Sequence, residues 1–305
     1  MAVRILTADQ ILGIGDHRGE VAVRGAAIIG VIAAGIIRLA LLAPVGAGGN
    51  GRTRPRKHDA HRPRHDGTCG YRCGINNGHV VVGGDVRDLS RGAGIGEAAA
   101  KRFQKEGWTV IATMRDPAAG TALDALERVH VVRLDVTDPT SIASAVAYGL
   151  DHFGAIDVLL NNAGYGAYGP LEAFSMERIR RQFDTNVVGL LEVTKAVLPA
   201  MRKARSGVII NISSIGGRVT FPLGALYHGT KFAVEGLSEA LHYELEPLGI
   251  RVRIVQPGMI KTNFGGRSFD FAMEESLSDY APSAEAMGRL FGRLAADPSL
   301  PTGPN

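Results

Sequence analysis

Cysteine and aromatic residues are scarce in this chain of 305 residues. It contains two cysteines and one tryptophan, and aromatic residues make up 6% of it. Two cysteines do not provide the disulfide framework of a small secreted domain, so a reducing compartment, the cytoplasm, is the expected location. The net charge of +4 is low for this length and arises partly from one basic run. We therefore expect no nucleic acid as a partner.

The first 90 residues differ in composition from the rest of the chain. They hold a single aromatic residue, Tyr71, and a single lysine, Lys57. The stretch Arg52–His65 is a basic run with one acid, Asp59. We interpret residues 1–90 as an atypical extension, which is disordered or translated from a shifted reading frame or a wrong start site. Residues 91–305 would then form the folded domain.

Two other interpretations compete for this extension. Residues 25–43 are apolar except for Arg38 and are long enough to span a bilayer, which would anchor the protein in a membrane. Several residues of metal-ligand type also occur at spacings that zinc can use, namely His58, His61, His65, Cys69 and Cys73. No hydrophobic pattern flanks them, so we favour an unstructured basic linker and predict no metal site.

From residue 95 onward, short apolar runs alternate with segments of helical periodicity. The runs that predict strands are Trp108–Thr113, Val129–Leu134, Ile156–Leu160, Gly207–Ser214 and Ile250–Val255. The segments that predict helices are Ile95–Glu106, Pro139–Phe153, Ser175–Lys203 and Tyr227–Glu246. This alternation predicts an α/β fold, a doubly wound parallel sheet of the Rossmann type with helices on both faces.

Tyr227 and Lys231 are four residues apart in a predicted helix, so they lie on one face of it. A free tyrosine hydroxyl ionises near pH ~10 and is a poor acid or base at neutrality. A nearby ammonium favours the phenolate and lowers this pKa, which suits the tyrosine for general acid–base catalysis. Ser214, at the carboxyl end of a predicted strand, adds a hydroxyl that can hold a carbonyl oxygen. The spacing of the pair alone also arises by chance in exposed helices.

Further motifs surround this pair in a fixed order. They are Gly94-Ile95-Gly96, Leu134–Asp138, Asn161–Gly164, Thr185–Gly189 with Asn186, Ser214, the Tyr227/Lys231 pair, and Pro257-Gly258 with Thr262. In these motifs, residues from about 92 to 262 resemble the short-chain dehydrogenase/reductase family in its single-domain form. The resemblance implies an oxidoreductase that transfers a hydride between NADP(H) and a carbonyl or secondary alcohol.

The resemblance also implies a role for each motif residue. Tyr227 would be the general acid–base, Lys231 would lower its pKa, Ser214 would bind the substrate oxygen, and Asn186 would hold a water. The residues expected to bind the cofactor are Gly92, Gly94, Ile95, Gly96, Arg115, Asp135, Val136, Asn162, Ala163, Gly164, Tyr227, Lys231, Pro257, Gly258, Ile260 and Thr262. Three alternatives stay open: Asn186 as the cap of a helix bend, Ser213 in place of Ser214 in the site, and Asp135 as a turn residue.

The choice between NADP and NAD depends on the end of the second predicted strand. An acidic residue there would bind the 2′-hydroxyl of NAD, whereas an arginine suits the 2′-phosphate of NADP. The expected acidic position holds Met114, Arg115 follows it, and Asp116 comes one place later. Because the arginine precedes the acid at the end of this strand, the sequence favours NADP as the cofactor, with NAD as the alternative.

The phosphate-binding turn departs from the family pattern. Leu89 and Ser90 stand where relatives have threonine and glycine, and Gly92 is the nearest substitute. His79–Val82 is the only candidate for the first strand, and it lies too far from the glycines, so we expect the sheet to lack its central strand. The alternative function is therefore a catalytically inactive protein with a damaged nucleotide site.

Apolar residues follow the predicted active-site strands and helix. They are Phe221, Pro222, Leu223, Phe264, Phe269, Phe271 and Met273, and they favour an apolar ketone or alcohol as substrate. An equally supported interpretation is that these residues only close the hydrophobic core. By resemblance, the two long helices pair between subunits, which predicts a homodimer or homotetramer. After the predicted helix Ala284–Ala296 no final edge strand is visible, so we expect a truncated carboxyl end.

Overall fold

The computed structural model describes residues 78–83, 94–258 and 268–296. Its strands are β1 His79–Gly83, β2 Thr109–Met114, β3 Val129–Arg133, β4 Val158–Asn161, β5 Gly166–Tyr168, β6 Gly207–Ile212, β7 Ile250–Val255 and β8 Phe269–Phe271. Its helices are α1 Ile95–Lys105, α2 Thr121–Asp124, α3 Pro139–Phe153, α4 Met176–Phe183, α5 Gly189–Ala204, α6 Ala225–Leu245 and α7 Ala281–Ala296.

Six of these strands form one parallel sheet in the order β3-β2-β1-β4-β6-β7. The strands β4 and β6 are buried along their whole length, as expected for a sheet that is covered on both faces. Separate hydrophobic clusters lie on the two faces, one around Phe103 and Val110 and the other around Ile111 and Val197. The predicted doubly wound parallel fold is confirmed.

The expectation that the sheet lacks its central strand is wrong. β1 pairs in parallel with β2 on one side and with β4 on the other, so it is the central strand. Asp157 fixes its start, because its carboxylate accepts from the His79 amide at 2.8 Å and its own amide donates to the His79 carbonyl at 2.9 Å. Separation along the chain does not prevent this pairing, because each doubling of the length of a connecting loop adds only about 0.6 kcal/mol to the entropic cost of closing it. The sheet therefore begins before residue 91.

The single helix predicted over Ser175–Lys203 is divided in the structure. Ser175 caps α4 through its hydroxyl, which accepts from the Arg178 amide. A π-helical turn, Asp184–Val188, then connects α4 to α5. Such turns widen a helix locally and are common at functional sites. Here the turn carries Asn186.

A small second sheet lies beside α6. β5 pairs in parallel with β8, and the carboxylate of Asp270 in β8 forms an ion pair with Arg178 at 2.6 Å. The chain leaves β5 through Gly169, whose φ of 147° disfavours other residues. A Cβ at this glycine would lie 2.2 Å from the Ala272 carbonyl oxygen. Glycine at this position therefore allows the chain after β8 to approach the end of β5 closely.

Within the residues that the structure describes, no helix is both long and apolar enough to cross a membrane. The same part of the chain contains no group of His, Cys, Asp and Glu that would suit a metal ion. The apolar stretch 25–43 and the residues from His58 to Cys73 lie outside the described residues. The interpretations of residues 1–77 stay predictions.

Candidate active site

Three segments bring the predicted catalytic residues together at the carboxyl edge of the sheet. Ser214 follows β6 and begins a short 3₁₀ turn, in which its hydroxyl accepts from the Gly216 amide at 3.0 Å. Tyr227 and Lys231 lie one turn apart on α6. Asn186 lies in the π-helical turn, whose residues contact α6. The predicted set is therefore contiguous in space.

Lys231 is a buried cation in this cluster. Its side chain is 7% exposed, and its Nζ atom donates to the Ile212 carbonyl at 2.9 Å. The same nitrogen lies 5.8 Å from the centroid of the Tyr227 ring. Burial lowers the pKa of Lys231 to about 8, and the charge of Glu235 acts in the opposite direction. The ammonium form therefore predominates at neutral pH, but by a narrow margin.

Tyr227 is also buried, and its net pKa shift is opposite to the one predicted from its spacing to Lys231. Burial raises the pKa of Tyr227, and a hydrogen bond with Ser214 opposes this rise. Burial dominates because the phenolate loses more stabilisation when water is removed than the hydrogen bond with Ser214 restores.

Ser213, the alternative to Ser214, is buried with its hydroxyl directed toward Gly217, where a Cβ would lie 2.8 Å from it.

Asn186 connects the π-helical turn to α6 and to the loop after β4. Its Oδ1 accepts from the Tyr165 amide at 3.1 Å, and its Nδ2 donates to the Tyr165 carbonyl at 2.9 Å. Nδ2 also donates to the Thr230 hydroxyl at 3.1 Å. A Cβ on Gly164 would lie 3.1 Å from this Oδ1. Asn186 thus fixes the loop against the helix of Tyr227, beyond the simple cap considered from sequence.

His228, which the sequence did not single out, anchors the loop that carries Ser214. It is 2% exposed, and its Nδ1 lies 2.9 Å from the Gly216 carbonyl oxygen. Its Nε2 accepts from the Phe221 amide at 3.1 Å. These contacts assign the proton to Nδ1. Burial lowers the pKa of His228, with the bond to Gly216 opposing, so the neutral ring is the favoured form.

Tyr168 is a second residue that sequence reasoning missed. Its ring centroid lies 5.5 Å from that of Tyr227 and 5.0 Å from that of Phe269, on which it stacks. Met287 and Phe291 of α7 complete this apolar cluster around Tyr227. Burial, followed by the charge of a Tyr227 phenolate, raises the pKa of Tyr168. No motif in the sequence marks Tyr168, because its contacts with Tyr227 and Phe269 join segments that are distant in the chain.

The start of α1 has the features of a phosphate-binding helix terminus. Gly94 is its N-cap, and no side chain caps the helix there. A Cβ on Gly94 would meet no described atom within 4 Å. Unpaired amides and the helix dipole favour an anion at such a position. Ile95 and Gly96 form the first turn, and Gly96 is buried. Within the described residues, these features fit a nucleotide.

The end of β2 separates the three residues considered for cofactor choice. Met114 is fully buried and packs under Gly120, where a Cβ would lie 2.7 Å from its sulfur. Arg115 is exposed at the carboxyl edge. The carboxylate of Asp116 accepts from the Ala118 amide at 3.1 Å and so serves the following turn.

The remaining predicted cofactor residues lie along the same edge. Asp135 follows β3, and its Oδ1 accepts from both the amide and the hydroxyl of Thr137, so the turn interpretation applies to this oxygen. Val136 packs at the start of α5, where a Cβ on Gly189 would lie 2.8 Å from its Cβ. Asn162, Ala163 and Gly164 follow β4, and Pro257 and Gly258 follow β7. Gly92, Ile260 and Thr262 lie outside the described residues, as does Phe264.

The parallel sheet, with a tyrosine–lysine pair and an uncapped helix at one edge, defines an α/β protein of the Rossmann type. The model of the short chain dehydrogenase family matches residues 89–271. The chain therefore belongs to this family of oxidoreductases. The match begins after β1, so the central strand is supplied by residues outside it.

Individual relatives support the same assignment. An oxidoreductase of Schizosaccharomyces pombe is 52% identical over 151 residues, which cover 50% of this chain and 64% of that protein. The chain thus spans less than two thirds of that relative's length. The 3-ketodihydrosphingosine reductase of Bacteroides thetaiotaomicron is 41% identical over 191 residues, covering 63% and 69% of the two chains. The structure of ElxO with NADP bound has 30% identity and a TM-score of 0.59, covering 74% of this chain and 86% of that one.

Proposed function

We propose that the protein transfers a hydride between NADP(H) and a carbonyl or secondary alcohol, with Tyr227 as the general acid–base. One observation carries the proposal: Ser214 and Lys231 both lie against Tyr227 at the carboxyl edge of the sheet. Open α/β sheets bind their ligands at this edge. The bound nicotinamide would supply or accept the hydride.

The residues of the site supply what the carbonyl oxygen needs during reduction. Negative charge develops on that oxygen, and the Ser214 hydroxyl can donate to it while the Tyr227 hydroxyl transfers its proton. The raised pKa of Tyr227 keeps the phenol protonated before the reaction. The ammonium of Lys231 stabilises the phenolate that is left. In the oxidation direction the same groups act in reverse.

NADP is the cofactor that we propose, with NAD as the alternative. Arg115 is an exposed residue at the carboxyl end of β2, and the carboxylate of the nearest acid, Asp116, accepts from the Ala118 amide. A guanidinium binds a phosphate through charge-assisted hydrogen bonds. The NADP-bound structure of ElxO supports this choice by similarity.

An apolar ketone or alcohol is the substrate class that we propose. Leu223 and Phe269, two of the residues predicted to cover the site, belong to the apolar cluster around Tyr227. Phe221 approaches the same region, with its ring centroid 6.4 Å from that of Phe291. Phe271 and Met273 are partly exposed and lie outside this cluster. The name of the Bacteroides relative is that of a ketone reductase, which agrees with the proposal.

The second candidate function is an inactive protein that no longer binds a nucleotide. It is favoured by Leu89 and Ser90, which replace the threonine and glycine expected before α1. This candidate differs from the proposed oxidoreductase in cofactor binding, because an inactive protein with a damaged nucleotide site would bind neither NADP nor NAD. A cytoplasmic location and a membrane anchor at residues 25–43 both stay predictions.

Cofactor titration separates the two candidates and tests the role of Arg115. We expect nicotinamide fluorescence to report binding of NADPH that is tighter than that of NADH. Arg115→Ala should weaken NADPH by about tenfold and leave NADH unchanged, because a charge-assisted hydrogen bond contributes about 1.5–3 kcal/mol. The exposed Arg102, at the opposite end of α1, gives the control Arg102→Ala. No binding at millimolar NADPH would favour the inactive protein, and a strong preference for NADH would exclude our choice of cofactor.

We also predict a homodimer or homotetramer built on α6. Phe232 and Tyr243 are 46% and 59% exposed, and together with Gly229 and Gly236 they occupy one stripe of this helix. The Phe183 ring borders the stripe at Gly229. Light scattering should show an oligomer for the wild type and a monomer for Phe232→Asp, because a buried unpaired carboxylate is costly. Leu171→Asp, at a leucine outside the stripe that is 58% exposed, is the control, and a monomeric wild type would contradict the prediction.

A further inference from the structure

Glu235 is a buried carboxylate beside the active site that the proposed mechanism does not use. It lies on α6, four residues after Lys231, and is 4% exposed. Residues four apart share a helix face. Burying a carboxylate is costly unless other groups compensate its charge. Its surroundings should therefore show what stabilises it.

A neutral amide and a shared cation, both at one carboxylate oxygen, account for part of this compensation. The Oε2 atom accepts from Gln256 Nε2 at 2.7 Å, just after β7. Arg218 lies 3.5 Å from the same oxygen and also 3.5 Å from Glu239, with which it shares its charge. The second oxygen, Oε1, is buried and has no hydrogen-bond partner among the described residues. The negative charge is thus incompletely neutralised on that side.

The packing around Gly217 brings Glu235 close to the backbone of Lys231. A Cβ on Gly217 would lie 3.0 Å from both Glu235 Cγ and the Lys231 carbonyl oxygen. The interior at this point has little water, so charges interact over longer distances than at the surface. The ammonium of Lys231 has one protein partner in the described residues, the Ile212 carbonyl. A buried cation and a buried carboxylate whose Oε1 atom has no hydrogen bond among the described residues therefore lie on adjacent turns of one helix face.

We propose that Glu235 is a positioning residue that keeps the buried Lys231 side chain in its ammonium form and thereby directed to Ile212. The inference rests on the proposed function only in giving Lys231 a role in catalysis. Without Glu235 the cost of desolvation would be opposed only by the bond to the carbonyl. The neutral amine would then be a larger fraction of Lys231 near pH 7, and the neutral form does not stabilise a phenolate.

Other charged or titratable groups surround the pair, and none replaces Glu235. On α6 these are Tyr227, His228 and Glu239, and the loop after β6 supplies Arg218. Tyr227 and His228 are neutral in their favoured forms, and Arg218 would oppose a second cation. The end of β7 and the π-helical turn contribute the neutral amides of Gln256 and Asn186.

The test is a titration of Lys231 by nuclear magnetic resonance in protein labelled with ¹³C at lysine Cε. Loss of one resonance in Lys231→Met assigns the signal. Glu235→Gln keeps the shape of the side chain and removes its charge. We expect the midpoint to fall by at least about one pH unit, a tenfold loss of proton affinity, because a nearby opposite charge shifts a pKa by about 1–3 units. The sign follows from the charge, since removing an anion destabilises the ammonium.

Glu239→Gln is the matched control, because Glu239 contacts the same arginine from the same helix but is eight residues from Lys231. Its midpoint should equal that of the wild type. Glu235→Asp keeps the charge but withdraws it by one methylene, so its midpoint should lie between those of wild type and Glu235→Gln. An unchanged midpoint in folded Glu235→Gln overturns the proposal. If that variant does not fold, an unchanged midpoint in Glu235→Asp overturns it.

The pH profile of kcat/KM gives a second readout. Activity that needs the ammonium is lost as pH rises through its pKa, so this alkaline limb should move to lower pH in Glu235→Gln by the same amount as the titration. A carbonyl reductase with unchanged midpoints would refute only the role of Glu235. A protein without turnover but with shifted midpoints would refute only the proposed function.

Discussion

Replacing Tyr227 by phenylalanine is expected to lower kcat by about 10³-fold while leaving the affinity for NADPH within about twofold. General acid–base catalysis contributes roughly 10²–10⁴-fold, and Tyr227 is the phenol that shares a hydrogen bond with Ser214. Removing one oxygen from a buried ring changes little of its packing, because Tyr168 still contacts it. The loss should therefore fall on proton transfer rather than on folding.

The measurement is single-turnover oxidation of NADPH with an apolar ketone, combined with fluorescence titration of the cofactor. Tyr243→Phe is the control, because it removes an exposed hydroxyl from the same helix. It should retain wild-type kcat. If Tyr227→Phe turned over at a rate close to the wild type, Tyr227 would not be the general acid–base.

Replacing Asn211 by leucine is expected to destabilise the fold by about 3 kcal/mol. Asn211 Oδ1 accepts from Asn161 Nδ2 at 2.9 Å, and its Nδ2 donates to the Ser238 hydroxyl at 2.8 Å. Asn161 also donates to Thr194 of α5 at 3.0 Å, so the chain of polar groups crosses the sheet from α5 to α6. Leucine removes two of these bonds within a region that excludes water, and each group left with a bond unmade costs about 1–3 kcal/mol.

Thermal unfolding followed by circular dichroism gives the free energy change. A loss of this size should lower Tm by roughly 6–12 °C for a domain of this size. Ser238→Ala should cost less than Asn211→Leu, since it removes one hydroxyl. The Ser238 hydroxyl also donates to the carbonyl of Val234, four residues earlier in α6. The matched control is Ser144→Ala, because the Ser144 hydroxyl donates to the Thr140 carbonyl, also four residues earlier, but at an exposed position. Equal stability of Asn211→Leu and wild type would show that the polar chain does not contribute.

Most of the sheet could be predicted from the sequence because its strands are short apolar runs with clear ends. The expected strand over Val129–Leu134 corresponds to β3 at Val129–Arg133, and Gly207–Ser214 contains β6. The run that forms β1 was predicted not to join the sheet, because it lies far along the chain from the glycines before α1. Pairing with strands on both sides depends on distances in space, which a local pattern does not contain.

The site was predictable where its chemistry follows a spacing, as for Tyr227 and Lys231. Tyr168, His228 and Glu235 were not, because each acts through contacts with residues on other segments. The direction of the Tyr227 pKa was wrongly predicted for the same reason. A spacing of four residues shows that a cation is near, but it does not show how much water the fold removes from both groups.

By itself, the sequence determined the alternation of strands and helices, the family and the order of the candidate catalytic residues. Periodicity and short motifs are local, so they can be recognised without knowing which residues come into contact after folding. Only the tertiary structure decided that His79–Gly83 is the central strand and that Arg115 rather than Met114 is exposed at the edge. It also decided that Lys231 is buried next to Glu235. Burial and charge environment arise from residues that are distant in the chain and adjacent only after folding.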